Sequence, residues 1–195
     1  MLLGNSSVLP ETSADETKNG PTTARCSTEN QIDLEHWKLT LPVDDSGTFS
    51  GHATEVSTKQ LTAGLQNAYF RRTKAGALTF WCPVSGATTE GTEFPRSELR
   101  EMLQPDDPSV NWPAQGRHLL SARCRVIDVP SNPKIVLGQI HSYSGQARPL
   151  LKLQYFKGRI EALVKLSPSE GKDVKLTWPD IGEDQEDITY RFLLH

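Results

Sequence analysis

From about residue 37 onward, apolar and polar residues alternate in short runs separated by glycine, proline and asparagine. In "LEHWKLTLP", Trp37, Leu39 and Leu41 alternate with Lys38 and Thr40, the period-2 pattern of a half-buried strand. Similar segments follow: "NAYFRRT", "ALTFWCPV", "RSELREML", "HLLSARCRVIDV", "KIVLGQIHSY", "LLKLQYF", "RIEALVKL" and "ITYRFLLH". Gly76, Gly86, Gly116 and Gly158 fall between or at the ends of such runs, and Lys157-Gly158 between two of them predicts a tight hairpin. One short helix is expected around "STKQLTAGL". Many short strands with turn residues between them predict an all-β antiparallel sandwich or jelly roll. No internal repeat is visible.

Residues 1–30 are rich in Ser, Thr, Asn, Glu, Gly and Pro and offer little to bury, so they are expected to form a disordered or loosely attached leader. Residues 31–195 are expected to form one domain, a size at which all-β folds commonly stay single. No run of 18 apolar residues occurs, so no membrane-spanning helix is expected. The opening "MLLGNSSVLPETSADE" lacks the basic start and apolar stretch of an intact secretory signal. Cys26, Cys82 and Cys124 have no C-x-x-C spacing, which speaks against a zinc site; one disulfide or free thiols are both compatible with them.

The net charge of −3 is unevenly spread. Residues 1–30 carry −2 and residues 180–187 carry −5, which leaves +4 on the remainder. A mildly basic centre suits an anionic ligand. The stretch "FPRSELREML" sharpens this: on a strand, Arg96, Glu98 and Arg100 share one face, with Ser97 and Leu99 on the other. Gln139 and His141 are a second i, i+2 pair, and Lys152 and Gln154 a third. Each alone reads most simply as solvated strand surface. Together, on separate strands of a jelly roll, they outline a polar groove on its concave sheet.

The segments "WKLTLP", "FPRSELRE", "GQIH" and "KLQY" followed by a glycine hairpin and "RIEALV" resemble the alginate lyases of polysaccharide lyase family 7, in order from about Asp33 to the last residue. The resemblance implies a β-jelly roll whose concave sheet binds an anionic polysaccharide. It implies catalytic roles for Arg96, Gln139 and His141 and a substrate-binding role for Arg100; Glu98, standing between the arginines, is expected to orient one of them, and Lys152, by its place in the alternation, to line the groove. The reaction is β-elimination, in which the proton beside a uronate carboxylate is removed and the glycosidic oxygen expelled. Arginine and glutamine suit the carboxylate and the charge that develops on it. Histidine, titrating near pH 6.5 as a residue type, suits the base. A hydrolase would instead need two carboxylates flanking the bond.

No cofactor or metal is required by this chemistry, and neither nucleic acid nor membrane is an expected partner. The resemblance implies a secreted monomer, while the missing signal leaves a cytoplasmic location open. Ile140 in Q-I-H hints at guluronate-containing or mixed blocks. The family's catalytic tyrosine belongs to a Y-F-K-x-G-x-Y strand. "QYFKGRI" lacks that spacer and second tyrosine, so Tyr155 is not expected to be it. Tyr69, Tyr143 and Tyr190 carry no such motif either. The tyrosine is expected beyond His195, which would leave the jelly roll without its last strands and residues 1–195 with little activity. The competing reading is a non-catalytic module that binds acidic glycans; a structural domain with chance motifs ranks below both.

Overall fold

The computed structural model describes residues 2–4, 32–105, 107–113, 115–141, 149–167, 172–178 and 187–194. Twelve strands and one helix occur among them. Sheet one is ordered β12 (Ile188–Leu194), β7 (His118–Arg125), β1 (Leu2–Gly4), β5 (Leu78–Phe80) and β4 (Phe70–Arg72). Sheet two is ordered β11 (Asp173–Trp178), β10 (Arg159–Lys165), β9 (Leu151–Phe156) and β8 (Lys134–Ile140). Sheet three is ordered β3 (Glu55–Val56), β2 (Trp37–Thr40) and β6 (Glu98–Glu101). All pairings between these strands are antiparallel, as the predicted jelly roll requires.

Two apolar clusters hold the layers together. Leu39 of β2 packs with Phe70, Leu78 and Phe80 of β4 and β5, and Leu61 of the helix joins them. Leu137, Leu153, Ile160 and Ala162 of sheet two pack with Cys124 of β7 and Ile188 of β12. Removing one such Leu or Phe side chain from water contributes about 1.5–3 kcal/mol. This burial gives sheets two and three an inner apolar face and an outer polar one.

The local signals act where expected. Helix α1 (Thr58–Thr62) starts at Ser57, whose hydroxyl accepts from the Gln60 backbone while the Gln60 side chain accepts from the Ser57 backbone, a capping box. Lys157 (φ 50°) and Gly158 (φ 80°) close the β9–β10 hairpin with the two positive φ angles of a type I′ turn. Ser97 and Leu99 do turn inward: Leu99 packs against the first cluster, and the Ser97 hydroxyl donates to the Tyr69 carbonyl at 2.9 Å.

Four readings need correction. Leu2–Gly4, inside the expected leader, form β1 between β5 and β7, where the backbone ladder supplies partners that composition does not reveal. Strands β3 and β11 were not legible: one is two residues long, and the other, "DVKLTW", is exposed at every position. Lys38 and Thr40 are buried, not half-solvated, because β2 lies between two strands and Lys38 is covered by its ion pair with Glu55 at 2.7 Å. Gln154 is likewise buried, not solvent-facing. Cys82 and Cys124 are free thiols. Cys26, Tyr143, most of the leader and residues 180–186 of the acidic run lie outside the described residues.

Candidate active site

Register decides which side chains face the groove. Opposite Lys38 on β2 stands Arg100, and opposite Thr40 stands Glu98, so these four share the outer face of sheet three. On sheet two, Gln139 stands opposite Lys152, Lys152 opposite Leu163, and Leu163 opposite Lys175, one row across four strands. The adjacent row holds Val136, Gln154, Glu161 and Thr177. Tyr155 points the other way and packs against the second apolar cluster. Lys152 and Gln154 thus emerge on the groove side, as the alternation predicted, and Tyr155 does not.

A side-chain hydrogen bond joins the two polar faces. The Gln139 side-chain amide donates to Glu98 Oε1 at 2.6 Å, between residues 41 apart in the chain. The other carboxylate oxygen of Glu98 lies 3.7 Å from Arg96. Glu98 therefore bridges the arginine and the glutamine, and its tighter contact is to the glutamine. The expected orientation of an arginine is the looser half of that bridge.

Arg96, just ahead of β6, is about one-third exposed, and its Nε is buried without an acceptor. Its guanidinium lies close enough to Cys82 to oppose the effect of burial, which pushes that thiol up to about 11. Arg100 sits four residues further along, on the same face as Glu98 and beside Lys38. His141 follows β8 directly and is exposed. The backbone bond from Leu150 to the Ile140 carbonyl at 2.9 Å extends the β8–β9 ladder up to it. Arg96, Glu98, Arg100, Gln139 and Lys152 thus converge on one polar surface, with His141 at its edge.

The glycine of "GQIH" has a structural cause. A register irregularity falls between Val136 and Gly138, and the Tyr190 hydroxyl lies directly over Gly138 while donating to the Leu137 carbonyl at 3.0 Å. Burial raises the pKa of Tyr190 well above that of an ordinary phenol. Tyr190 thus pins the strand that carries Gln139 and is not a proton donor to the groove. Tyr69 is stacked against Trp81, with ring centroids 5.7 Å apart.

Sequence reasoning missed a polar chain on the same face. Gln154 donates to Glu161 Oε2 at 2.8 Å, and Lys175 donates to Glu161 Oε1 at 3.3 Å. The Gln154 hydrogen bond, with support from Lys175, holds the Glu161 carboxyl below its usual range. Its signal was the polar members of "KLQY", "RIEAL" and "VKLTW" at alternating positions, but pairing them requires the register.

A family model described as alginate lyase matches residues 32–192. An alginate lyase of Klebsiella pneumoniae is 40% identical over 83 residues, 42% of this chain and 26% of that protein, so the match spans about a quarter of the curated relative. The crystal structure of an alginate lyase from Pseudomonas aeruginosa superposes with a TM-score of 0.72 at 38% identity, covering 83% of this chain and 73% of that one. A family 7 alginate lyase, A1-II′, solved in complex with a product (GGG), gives a TM-score of 0.73 at 35% identity, covering 84% and 71%. With 161 consecutive residues under the family model and the jelly roll shared with these enzymes, the chain belongs to the alginate lyase family.

Proposed function

We propose that the groove binds alginate and cleaves it by β-elimination, with guluronate-containing or mixed blocks preferred. The observation that carries this reading is the Glu98 bridge, which sets the Gln139 amide and the Arg96 guanidinium beside each other near His141.

Arg96 and the second N–H of the Gln139 amide take the uronate carboxylate. As the proton on the adjacent carbon leaves, negative charge accumulates on that carboxylate, and donors already fixed in place stabilise it without reorganisation. Removing one such donor costs about 3–4 kcal/mol of barrier, or 10²–10³ in turnover. His141 takes the proton. Electrons of the broken C–H bond form the double bond, and the glycosidic oxygen departs with its bonding pair and takes a proton from water or from a side-chain donor. Arg100 and Lys152 hold carboxylates of flanking sugars. Glu98 fixes Gln139 and keeps its own charge away from the substrate by spending it on Arg96.

Expulsion of the glycosidic oxygen needs a proton donor. Among the described residues, Tyr155 and Tyr190 face the core, and Tyr69 is engaged with Trp81. This supports a second reading, an acidic-glycan-binding groove without turnover. Calorimetry with alginate oligomers and ultraviolet absorbance of the unsaturated uronate separate the two. Binding lost in Arg96→Ala, together with a double-bond signal lost in His141→Ala, supports the lyase. Binding without absorbance leaves the glycan-binding module. A folded chain that does not bind alginate refutes both.

A further inference from the structure

The two layers of the sandwich do not end together. β4 and β5 of sheet one pack on sheet three, and β7 and β12 pack on sheet two. Sheet three meets sheet two where Glu98 of β6 accepts the hydrogen bond from Gln139 of β8, so both layers run in the same order. β12 is the last strand of sheet one among the described residues, and its outer edge turns toward the β10–β11 side. The core side of sheet two continues past it. Ile160 and Ala162 of β10 are 7% and 4% exposed, whereas their register partners on β11, Trp178 and Leu176, are 50% and 47% exposed. Val174 extends the same row opposite Val164. The cover over sheet two thus stops at β10, and β11 overhangs it as an apolar shelf.

Single apolar side chains on a surface need no explanation, but a stripe of them on the core side of a sheet does. Among the described residues, β11 pairs only with β10 and β12 only with β7, so each leaves a row of backbone donors and acceptors on its outer edge. Lys175 does little to blunt β11 on this side, because it stands on the opposite face with Glu161. The shelf lacks an apolar sheet face against it, and the β12 edge lacks a strand. A second copy presents both. Turned about a two-fold axis, its β11 lies on the shelf, stripe against stripe, and its sheet two continues the layer that β12 ends. The first copy's β11 does the same for the second.

We infer that β11 and the outer edge of β12 form a two-fold interface between copies of this chain, a half-lap joint in which each overhanging β11 abuts the other copy's β12. Val174, Leu176 and Trp178 of the two copies then face one another as the inner faces of packed sheets do. On the outward side, exposed Thr189 and Arg191 of β12 meet Asp173, Lys175 and Thr177, where Asp173 answers Arg191 and Lys175 is already held by Glu161. A six-residue strand is about 20 Å long, so one overlapping strand with its two abutting edges buries roughly 500 Å² on each copy, about 1,000 Å² in all, the lower limit for a specific interface. The association is accordingly weak and concentration-dependent. It departs from the monomer that the family resemblance implies, and it is independent of what the groove binds, since β11 turns its other face there.

Sedimentation equilibrium on the unsubstituted chain, from about 1 µM to about 1 mM, spans the range in which an interface of this size associates, and a monomer–dimer equilibrium is expected. Leu176→Glu should weaken it about a hundredfold, because symmetry places the carboxylate in the interface twice. Lys175→Gln, on the opposite face of the same strand, should change it little. Leu176 is half-exposed in the single copy, so thermal melts of the dilute variant should not shift; if Leu176→Glu fails to fold, Val174→Lys on the same stripe takes its place. Hydrogen exchange of concentrated against dilute protein reads the edges, and amides of β11 and β12 should slow together in the dimer. A chain monomeric throughout, a dimer indifferent to Leu176→Glu, growth past dimers into open chains, or β12 amides that exchange equally fast at both concentrations overturns the joint.

Discussion

Gly138→Ala tests whether the strand carrying Gln139 is held by Tyr190. A Cβ at this position would overlap the Tyr190 hydroxyl and come within 3.0 and 3.2 Å of its Cζ and Cε2. The φ angle of Gly138 is not positive, so the conflict is steric and not one of backbone strain. The ring cannot swing aside, because it packs in the second apolar cluster and is tilted against Phe192 at 5.1 Å. Forcing one carbon into such a contact costs about 1–3 kcal/mol. Displacing the hydroxyl also breaks its 3.0 Å bond to Leu137 and leaves buried polar groups unpaired, about 1–3 kcal/mol more. A total near 3 kcal/mol lowers the melting temperature by about 6–12 °C in a domain of this size. Tyr190→Phe removes the closest atom, so Gly138→Ala should cost less in that background, with a coupling of at least about 1 kcal/mol in a double-mutant cycle. Denaturant unfolding of the four proteins measures it. Additivity within about 0.5 kcal/mol, or a neutral Gly138→Ala, would refute the reasoning.

Three further expectations follow from individual contacts. Glu98→Gln keeps the shape of the bridge but removes its charge, so turnover on alginate should fall about tenfold or more with little change in melting temperature; a large loss of stability with normal turnover would make Glu98 purely structural. Asp187 holds Arg123 and Arg125 of β7 at the start of β12, and these contacts keep its carboxyl below the usual range. A carboxyl depressed in the folded state adds stability above its unfolded value, near 3.9, that is lost as pH falls through the folded one; acid titrations should show that Asp187→Asn is less stable at neutral pH and flatter below about pH 4. Lys38 is buried while its ion-pair partner Glu55 is half-exposed, so Glu55→Ala takes a counter-charge from a buried ammonium, whereas Lys38→Met leaves a solvated carboxylate; unfolding free energies from urea titration should fall more for Glu55→Ala, by about 1–3 kcal/mol, and equal losses would contradict the asymmetry.

The chain by itself determined the fold class, most strands and the convergent charges, because period-2 alternation is a local property that burial of one sheet face imposes. "RSELR" placed Glu98 and Arg100 on one face and Leu99 on the other, and Lys157-Gly158 specified its own turn. What is not local could not be read. β11 has no alternating burial to betray it, and β1 is a strand only because β5 and β7 leave a gap for three residues. Lys38 and Gln154 look like ordinary solvated strand positions until neighbouring strands cover them. The same holds at the site: the sequence supplied Arg96, Glu98, Gln139 and His141 as a set, but whether Glu98 serves the arginine or the glutamine depended on how sheet three meets sheet two. The Glu161 ladder likewise exists only through register, since a slip of one residue would turn Lys152, Glu161 and Lys175 into the core and Leu153 and Ala162 out to water.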